Sequence, residues 1–321
     1  MNDHIQFLFA PMEGITFAMF RSLHHEMFPG AAEYYTPFIA PDSSGSFRPK
    51  YLKELIKDSG VPTIPQLLVN NADAFNITAL KLHELGFPEI NLNIGCPSGT
   101  VFAKHKGAGM LLDLISLDRT LCDIYEQAEQ QGYRVSIKTR MGVHSTVEFP
   151  KILEVYNRFP VSRLIVHARC RDAFYDGKTD LSGFMDAMRF CRCPIVYNGN
   201  IFTAQNLNIL LNQAPELRSI MLGRGAVTNP AIFREFRGGE PLKINELQEF
   251  HDRLSEGWLS CGLDPKSTVE RMKTLWAYWE THFPESKKEF KLIWKARTPE
   301  AYRSAVSFVF PCSRNERRIS N

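Results

Sequence analysis

The chain has 321 residues, of which 44% are hydrophobic and 23% charged, and its formal net charge is +3. Such a composition is typical of a folded globular protein and excludes a disordered chain. No apolar run approaches the ~18 residues of a membrane span, and the N-terminus lacks the pattern of a secretory signal. We therefore expect a cytoplasmic protein without a membrane partner.

From the N-terminus, the chain repeats a short apolar run, a turn and a longer stretch with helical spacing of apolar residues. Two of the helical stretches are Ala72–Leu85 and Ile115–Gln131. The eight predicted strands are Phe7–Pro11, Glu33–Thr36, Thr63–Val69, Glu89–Asn93, Val135–Thr139, Leu164–His167, Pro194–Tyr197 and Ser219–Leu222.

Strands that alternate with helices predict a parallel sheet. Several of these strands are apolar throughout, so both of their faces should be buried. Eight such strands favour a (β/α)8 TIM barrel, an α/β fold. The alternative is a doubly wound open sheet, but its G-x-G-x-x-G fingerprint is missing after the first strand, where the chain reads APMEGIT.

After Pro230 the strand pattern stops, and residues 241–310 show the apolar spacing of helices. We therefore predict a catalytic barrel over residues 1–240 and a C-terminal all-helical domain over 241–321. The basic residues concentrate in this second part, where residues 271–321 contain 11 Lys or Arg against 5 Asp or Glu. Either a solvated helical face or an anionic partner would account for the excess.

Polar residues follow almost every predicted strand, where the active site of a barrel forms. A single Asn or His at a strand end is more often a structural hydrogen-bonding group, but many together predict a site. The residues are Met12, Glu13, Gln66, Asn91, Asn93, Cys96, Lys138, Arg140, His167, Arg169, Asn198, Gly199, Asn200, Gly223 and Arg224.

The types of these residues indicate a ligand. The last two strand ends, NGN and LGRG, place glycines and an arginine where barrels commonly bind phosphate. Gln66 can both donate and accept, and Lys138 brings positive charge, which suits a flat ring with carbonyls and nitrogens. Flavin mononucleotide (FMN) has both a phosphate and such a ring, so we predict FMN as the cofactor.

The seven cysteines lack C-x-x-C spacing, and Cys191 and Cys193 are too close in sequence for a usual zinc pair. We therefore expect neither structural disulfides nor a metal.

Taken in order, APMEG, PQLL, NLNIGCPS, IKTRMG, VHAR, NGN and LGRGAVTNPAIF resemble the motifs of tRNA-dihydrouridine synthases, over roughly Phe7–Phe233. The resemblance implies an FMN-containing barrel, a helical domain that binds tRNA, and NADPH as the reductant. The implied reaction reduces the C5=C6 bond of a uridine in tRNA to give dihydrouridine.

The resemblance also implies roles for individual residues. Cys96 corresponds to the cysteine that protonates C5, and Asn93 to the asparagine that contacts the flipped base. We add Arg140 and Arg169 as substrate residues from their places at strand ends. The residues that correspond to cofactor contacts are Pro11, Met12, Glu13, Gln66, Lys138, His167, Asn198, Gly199, Asn200, Gly223 and Arg224.

This chain departs from the family pattern in two places. Asn200 stands where an acidic residue is common, which matters little if the position acts through its backbone N–H. The loop Lys104–Met110 is less glycine-rich than usual.

An unperturbed thiol, with a pKa near ~8.5, is mostly protonated at neutral pH, as a proton donor requires. The alternative for Cys96 is a nucleophile activated by Lys104 or His105. A buried inert cysteine is the first interpretation for Cys122, Cys191, Cys193, Cys261 and Cys312.

Two other functions stay open at this point. A dihydroorotate-type FMN oxidoreductase would use the same barrel on a free pyrimidine, but it would not need the basic helices, whose Lys and Arg are interleaved with tryptophans as in RNA-binding surfaces. A non-catalytic RNA-binding protein would bind no flavin. The sequence leaves open the uridine that is modified, the choice between NADPH and NADH, and the oligomeric state, for which a monomer is the expectation.

Overall fold

The fold is that of a computed structural model, which describes residues 4–42, 44–46, 51, 55 and 60–310. Within these residues, parallel strands lie side by side in the order β3-β2-β1-β9-β8-β7-β6-β5-β4. The strands are β1 (Gln6–Phe9), β2 (Glu33–Tyr35), β3 (Thr63–Ile64), β4 (Gln66–Leu67), β5 (Glu89–Ile94), β6 (Arg134–Arg140), β7 (Leu164–His167), β8 (Ile195–Asn198) and β9 (Ser219–Leu222).

A single residue, Pro65, separates the two strands at the ends of this order. Because β3 pairs with β2 and β4 pairs with β5, this segment joins the two edges of the sheet into a barrel. Pro65 has no N–H to donate and therefore interrupts the strand, while its carbonyl accepts from the N–H of Asn91 at 2.9 Å. The predicted (β/α)8 barrel is confirmed, with the predicted strand Thr63–Val69 divided into two short strands.

Helices alternate with the strands, as predicted, and continue after the last strand. None of the described helices is long and apolar enough to cross a membrane. The helices are α1 (Ala18–Met27), α2 (Ala72–Glu84), α3 (Gly99–Phe102), α4 (Leu114–Gln131), α5 (Phe149–Tyr156), α6 (Leu181–Phe190), α7 (Ala204–Gln213), α8 (Arg224–Thr228), α9 (Ile232–Phe236), α10 (Ile244–Ser260), α11 (Pro265–Trp279), α12 (Lys287–Lys295) and α13 (Pro299–Val309), with 3-10 turns at Gly107–Leu112, Thr146–Glu148 and Glu280–His282.

Local sequence sets several helix boundaries. The Asp113 carboxylate accepts from the N–H groups of Ile115 and Ser116, at 3.0 and 3.1 Å, and so caps the start of α4. The same helix ends at Gly132, whose φ of 78° is left-handed and favours glycine. Because the Asp113 cap and Gly132 define the two ends of α4, the predicted helix Ile115–Gln131 is confirmed to within one residue.

The C-terminal helices pack directly on the barrel. Phe250 of α10 lies 5.4 Å from Phe20 of α1, between ring centroids, and the indole of Trp279 donates to the Val227 carbonyl at 2.9 Å. Trp276 and Trp279 are fully buried, so these two tryptophans are structural. The helical content after residue 241 is confirmed, whereas the domain division at residue 240 stays a prediction, since barrel and helices share one hydrophobic core.

His24 lies at the centre of this contact and is fully buried. One ring nitrogen, Nε2, lies 2.9 Å from the Pro230 carbonyl, and Nδ1 lies 2.8 Å from the Tyr34 hydroxyl. A carbonyl can only accept, so Nε2 carries the proton and Nδ1 accepts from the hydroxyl of Tyr34. Burial of this neutral ring lowers the pKa of His24 to about 3.

We expect this histidine to make folding pH-dependent. The unfolded chain gains a proton at His24 below its ordinary pKa of about 6.5, while the folded chain resists protonation until about pH 3. The free energy of unfolding should therefore fall as the pH falls through this window, by about 2 kcal/mol at pH 5 relative to pH 7. Urea unfolding at both pH values should show this loss in the wild type and a smaller one in His24→Gln.

His83→Gln, at a half-buried histidine on α2, is the matched control and should keep the wild-type pH dependence. An identical pH dependence in His24→Gln and the wild type would contradict the assignment.

Candidate active site

The carboxyl ends of the strands surround a cleft of about 790 Å³, counting its open mouth. All of the predicted site residues line it except Asn91, Arg169 and Asn200. The lining consists of Ala10, Pro11, Met12, Glu13, Pro37, Phe38, Gln66, Asn93, Gly95, Cys96, Pro97, Lys138, Arg140, His167, Tyr175, Asn198, Gly199, Gly223 and Arg224.

A continuous chain of side-chain hydrogen bonds crosses the barrel interior below the cleft. Asn91 donates to the Ser136 hydroxyl at 3.0 Å and accepts from Gln66 Nε2 at 2.7 Å. The Gln66 oxygen accepts in turn from Asn93 Nδ2 at 2.8 Å. Because Asn91, Ser136 and Gln66 are fully buried, each hydrogen bond holds its neighbour in one orientation.

This chain ends at the backbone of Cys96. The Asn93 side-chain oxygen accepts from the N–H groups of Gly95 and Cys96, at 3.0 and 2.9 Å. A backbone N–H can only donate, so the Asn93 oxygen must face these groups and its amide nitrogen must face Gln66. The amide chain, from Ser136 to Cys96, therefore fixes both the asparagine and the cysteine turn.

Cys96 is half-buried in the cleft wall. The following loop packs on it so closely that a Cβ on Gly107 would lie 2.9 Å from the Cβ of Cys96. Burial raises the pKa of the Cys96 thiol, and this effect outweighs the opposing influence of Arg140 and Lys138. The side chain is therefore protonated at neutral pH.

Positive side chains lie on β6, the strand that pairs with β5 beside the cysteine turn. Lys138 donates to the Asn198 side-chain oxygen at 2.9 Å, and Asn198 donates to the Met221 carbonyl at 2.8 Å. Burial and the charge of Arg140 lower the pKa of Lys138 to about 7. Burial, together with Lys138 and Arg140, lowers the pKa of His167 well below its usual value, so His167 is neutral at pH 7.

Arg140 is anchored by two backbone carbonyls. Its Nε donates to the Gly95 carbonyl at 3.0 Å, and a terminal nitrogen donates to the Cys170 carbonyl at 2.8 Å. Its guanidinium also lies 5.4 Å from the ring centroid of Tyr175, and the guanidinium of Arg224 lies 5.0 Å from the same centroid. Arg140 therefore links the cysteine turn to the mouth of the cleft.

Sequence reasoning missed Tyr175, because it examined the residues directly after each strand and Tyr175 lies eight positions beyond β7. Its ring is half exposed and lies 6.0 Å from that of His167, between centroids. The signal that could have found it is the adjacent aromatic pair Phe174 and Tyr175 in an otherwise polar loop.

The predicted phosphate-binding turns follow β8 and β9. At Gly199 a Cβ would lie 2.3 Å from the Tyr197 hydroxyl oxygen, so a larger residue would displace this turn. The Asn200 side-chain oxygen lies behind the lining and accepts from Arg224 at 2.7 Å and from Arg169 at 3.3 Å. Arg169 also donates to the Gly177 carbonyl. Asn200 thus orients Arg224, while Arg169 supports the loop after β7.

Comparison with known proteins gives concordant matches. Residues 8–259 match the protein family described as Dihydrouridine synthase (Dus). The chain is 28% identical over 265 residues to a probable tRNA-dihydrouridine synthase of Staphylococcus epidermidis, covering 78% of each chain. It is 27% identical over 252 residues to the tRNA-dihydrouridine(16) synthase of Neisseria meningitidis serogroup B, covering 75% of each. A structure of a morphinone reductase mutant in complex with tetrahydroNAD matches with a TM-score of 0.53 at 12% identity, covering 74% of this chain and 88% of that one, and so shows a shared fold.

The amide chain should contribute measurably to stability. Asn91→Ala removes the partner of both Gln66 and Ser136, and an unpaired buried polar group costs about 1–3 kcal/mol. We expect the free energy of unfolding in urea to fall by about 2 kcal/mol or more. The control is Asn70→Ala, at an exposed residue whose side chain donates to the Lys104 carbonyl and accepts from Asn71, and it should cost about 0.5 kcal/mol or less. Equal losses in the two variants would argue against the chain.

Proposed function

The chain belongs to the dihydrouridine synthase family and reduces uridine in tRNA to dihydrouridine, and we propose that the cleft described above carries out this reaction with FMN as its flavin. The observation that carries the proposal is the position of Cys96, a protonated thiol in the wall of a cleft rich in cationic and amide groups. The dihydroorotate-type alternative is not favoured, since the curated relatives are tRNA-modifying enzymes by name.

The donor set of the cleft fits FMN. Beyond its bonds to Asn91 and Asn93, the Gln66 amide retains one N–H donor and one oxygen lone pair. The N–H can donate to a carbonyl of the flavin ring, and the oxygen can accept from a ring N–H. Glycine turns at Gly199 and Gly223 let backbone N–H groups approach a phosphate, and Arg224 supplies charge. The further contacts that we propose are Pro11, Met12, Glu13, Lys138, His167, Asn198 and Asn200. A reduced flavin bound here would supply the hydride for C6 of uracil, and we propose NADPH as the compound that reduces the flavin.

Cys96 is proposed as the acid that protonates C5 of uracil. Burial keeps the thiol protonated until its proton is transferred to C5. The positive charges of Arg140 and Lys138 favour the thiolate form, so they stabilise the charge that remains on sulfur after the proton leaves. A nucleophilic role would require a lowered thiol pKa, and the direction of the shift at Cys96 is the opposite.

Asn93 is proposed to read a carbonyl of the pyrimidine. Its oxygen is held by two backbone N–H groups and one of its amide hydrogens by Gln66. The group that remains for a ligand is the second amide N–H, a donor. A uracil carbonyl accepts from such a donor, whereas the amino group of cytosine does not. We place Arg140 and Arg169 on the substrate side, with Arg140 at the lining and Arg169 behind it.

We propose that the C-terminal helices contact tRNA through α12. Trp294 is 40% exposed and lies between two shallow grooves, one lined by Lys287 and Lys291 and the other by Arg297. An exposed aromatic ring beside cations suits stacking of an unpaired base near the phosphate backbone. Two other basic residues of this part of the chain make contacts within the fold. Lys273, which lines the second groove, is buried and donates to the Ala296 carbonyl, and the guanidinium of Arg271 lies over the ring of Phe17, 4.0 Å from its centroid.

The test of the function is an absorbance spectrum of the purified protein, followed by anaerobic mixing of the NADPH-reduced enzyme with tRNA that lacks dihydrouridine. Flavin should be visible, and tRNA should reoxidise it. Removing a general acid commonly lowers a rate by ~10²–10⁴, so Cys96→Ala should slow reoxidation by at least ~10²-fold while its reduction by NADPH is unchanged.

Cys170→Ala, at another half-buried cysteine, is the matched control and should reoxidise at the wild-type rate. Reoxidation of Cys96→Ala at the wild-type rate would remove the acid role from this thiol. Reoxidation of the wild type by free uridine, and not by tRNA, would move the assignment to a small-molecule oxidoreductase.

Trp294→Ala should weaken tRNA binding. Stacking of a base on an aromatic ring contributes about 1–3 kcal/mol, so we expect the Kd for tRNA to rise about tenfold or more, with flavin reduction by NADPH unaffected. Leu292→Ala removes a half-exposed apolar residue from the same helix and should leave the Kd unchanged. Filter binding at fixed salt measures both, and equal effects would argue against stacking on Trp294.

A further inference from the structure

A pair of cysteines lies at the opposite end of β8 from the cleft. Cys191 ends α6 and Cys193 precedes β8 by two residues. Their sulfur atoms are 3.5 Å apart, and the Cys191 thiol also lies 3.4 Å from the Cys193 carbonyl oxygen. Both residues are half-buried. No other two sulfurs of the described residues are in hydrogen-bond contact, which sets this pair apart from the remaining cysteines.

The turn that carries the pair is held from both sides. The Asn157 amide donates to the Phe190 carbonyl at 2.9 Å, and its oxygen accepts from the N–H of Arg192 at 2.9 Å. The Pro194 carbonyl accepts from the N–H of Leu164 at 2.9 Å, and the proline ring restricts the backbone at that residue. The backbone that carries the two thiols is therefore held in one conformation.

The two thiols differ in character because they are hydrogen-bonded to each other. Donation from the Cys193 thiol stabilises the Cys191 thiolate and so lowers the pKa of Cys191. The same contact raises the pKa of Cys193. Cys191 is thus the stronger nucleophile of the two at neutral pH, and a second thiol stands next to it.

We propose that Cys191 and Cys193 form a reversible modification site that is oxidised to an intramolecular disulfide by low-molecular-weight disulfides. The Cys191 thiolate attacks one sulfur of the small disulfide, forms a mixed disulfide and releases one thiolate. Cys193 then loses its proton and attacks the Cys191 sulfur, and the second small thiol leaves. Two electrons pass from the cysteines to the small disulfide, and the two cysteine protons end on the released thiols.

The geometry favours this product over two alternatives. Closing the bond requires the sulfurs to approach by about 1.5 Å, to the ~2.0 Å of a disulfide. A metal site would need additional ligands, and no cluster of three His, Cys, Asp or Glu side chains with suitable geometry exists in the described part of the chain. A lasting mixed disulfide is disfavoured because the second thiol is already in contact with the first. The small ring that results should be reduced easily.

The sequence offers a direct readout, because trypsin cleaves after Arg192, between the two cysteines. In the full-length protein treated with oxidised glutathione, blocked with N-ethylmaleimide and digested, the peptides Phe190–Arg192 and Cys193–Arg218 should stay linked by a disulfide. Dithiothreitol should separate them. Before alkylation, the linked form is lighter than the dithiol by about 2 Da, the mass of two hydrogens.

Single variants distinguish the steps. Cys193→Ser should trap glutathione on Cys191, adding about 305 Da to the Phe190–Arg192 peptide, and Cys191→Ser should react more slowly at Cys193. The interpretation of Cys122 and Cys261 as buried cysteines is wrong, because both lie at the surface. They serve as internal controls and should acquire glutathione without forming linked peptides. A lasting glutathione adduct on wild-type Cys191, or two separate alkylated peptides after oxidation, would overturn the proposal.

Discussion

Backbone N–H groups can only donate hydrogen bonds, and the polar interior of this barrel is oriented by that constraint. The N–H groups of Gly95 and Cys96 require the Asn93 oxygen, which turns the Asn93 amide nitrogen toward Gln66. Gln66 is then oriented in turn, and the order continues through Asn91 to Ser136. A reversed amide at any position would bring two donors or two acceptors face to face in a buried setting, at a cost of about 1–3 kcal/mol. The polarity that the cleft presents to a ligand is thus determined at the cysteine turn.

The cleft combines this fixed polarity with an excess of positive charge. Lys138, Arg140 and Arg224 converge at its wall. Burial lowers the pKa values of Lys138 and Arg140, and nearby positive charge adds to this effect, from Arg140 on Lys138 and from Arg169 on Arg140. Such an arrangement is unfavourable by itself, and anionic groups relieve it. A phosphate at the glycine turns and the negative charge that develops on a pyrimidine during reduction are two groups of this kind, so the electrostatics of the cleft match the proposed chemistry.

The helical region is coupled to this cleft through one short element. Helix α8 begins at Arg224, whose side chain lines the cleft, and its other end accepts a hydrogen bond from Trp279 at the Val227 carbonyl. His282 donates to the next carbonyl, that of Thr228, at 2.7 Å. Helix α8 therefore links the helical region to Arg224, and barrel and helices share one hydrophobic core, in which His24 contacts Phe233 and Phe250.

The amino-acid sequence by itself determined the barrel, the helical tail and most of the cleft lining, because a buried parallel strand reads as a continuous apolar run and its active-site residue follows directly after it. The sequence shows a proline at position 65 but does not show that the third predicted strand is divided there. That division depends on whether a neighbouring strand needs the N–H that proline lacks. Tertiary structure alone decided the roles of Asn200 and Arg169 behind the lining, the place of Tyr175 at the mouth, and which tryptophans are buried. It also brought Cys191 and Cys193 into contact. These outcomes depend on distances between segments far apart in the chain or on the conformation of a turn, and neither is encoded in the local spacing of residues.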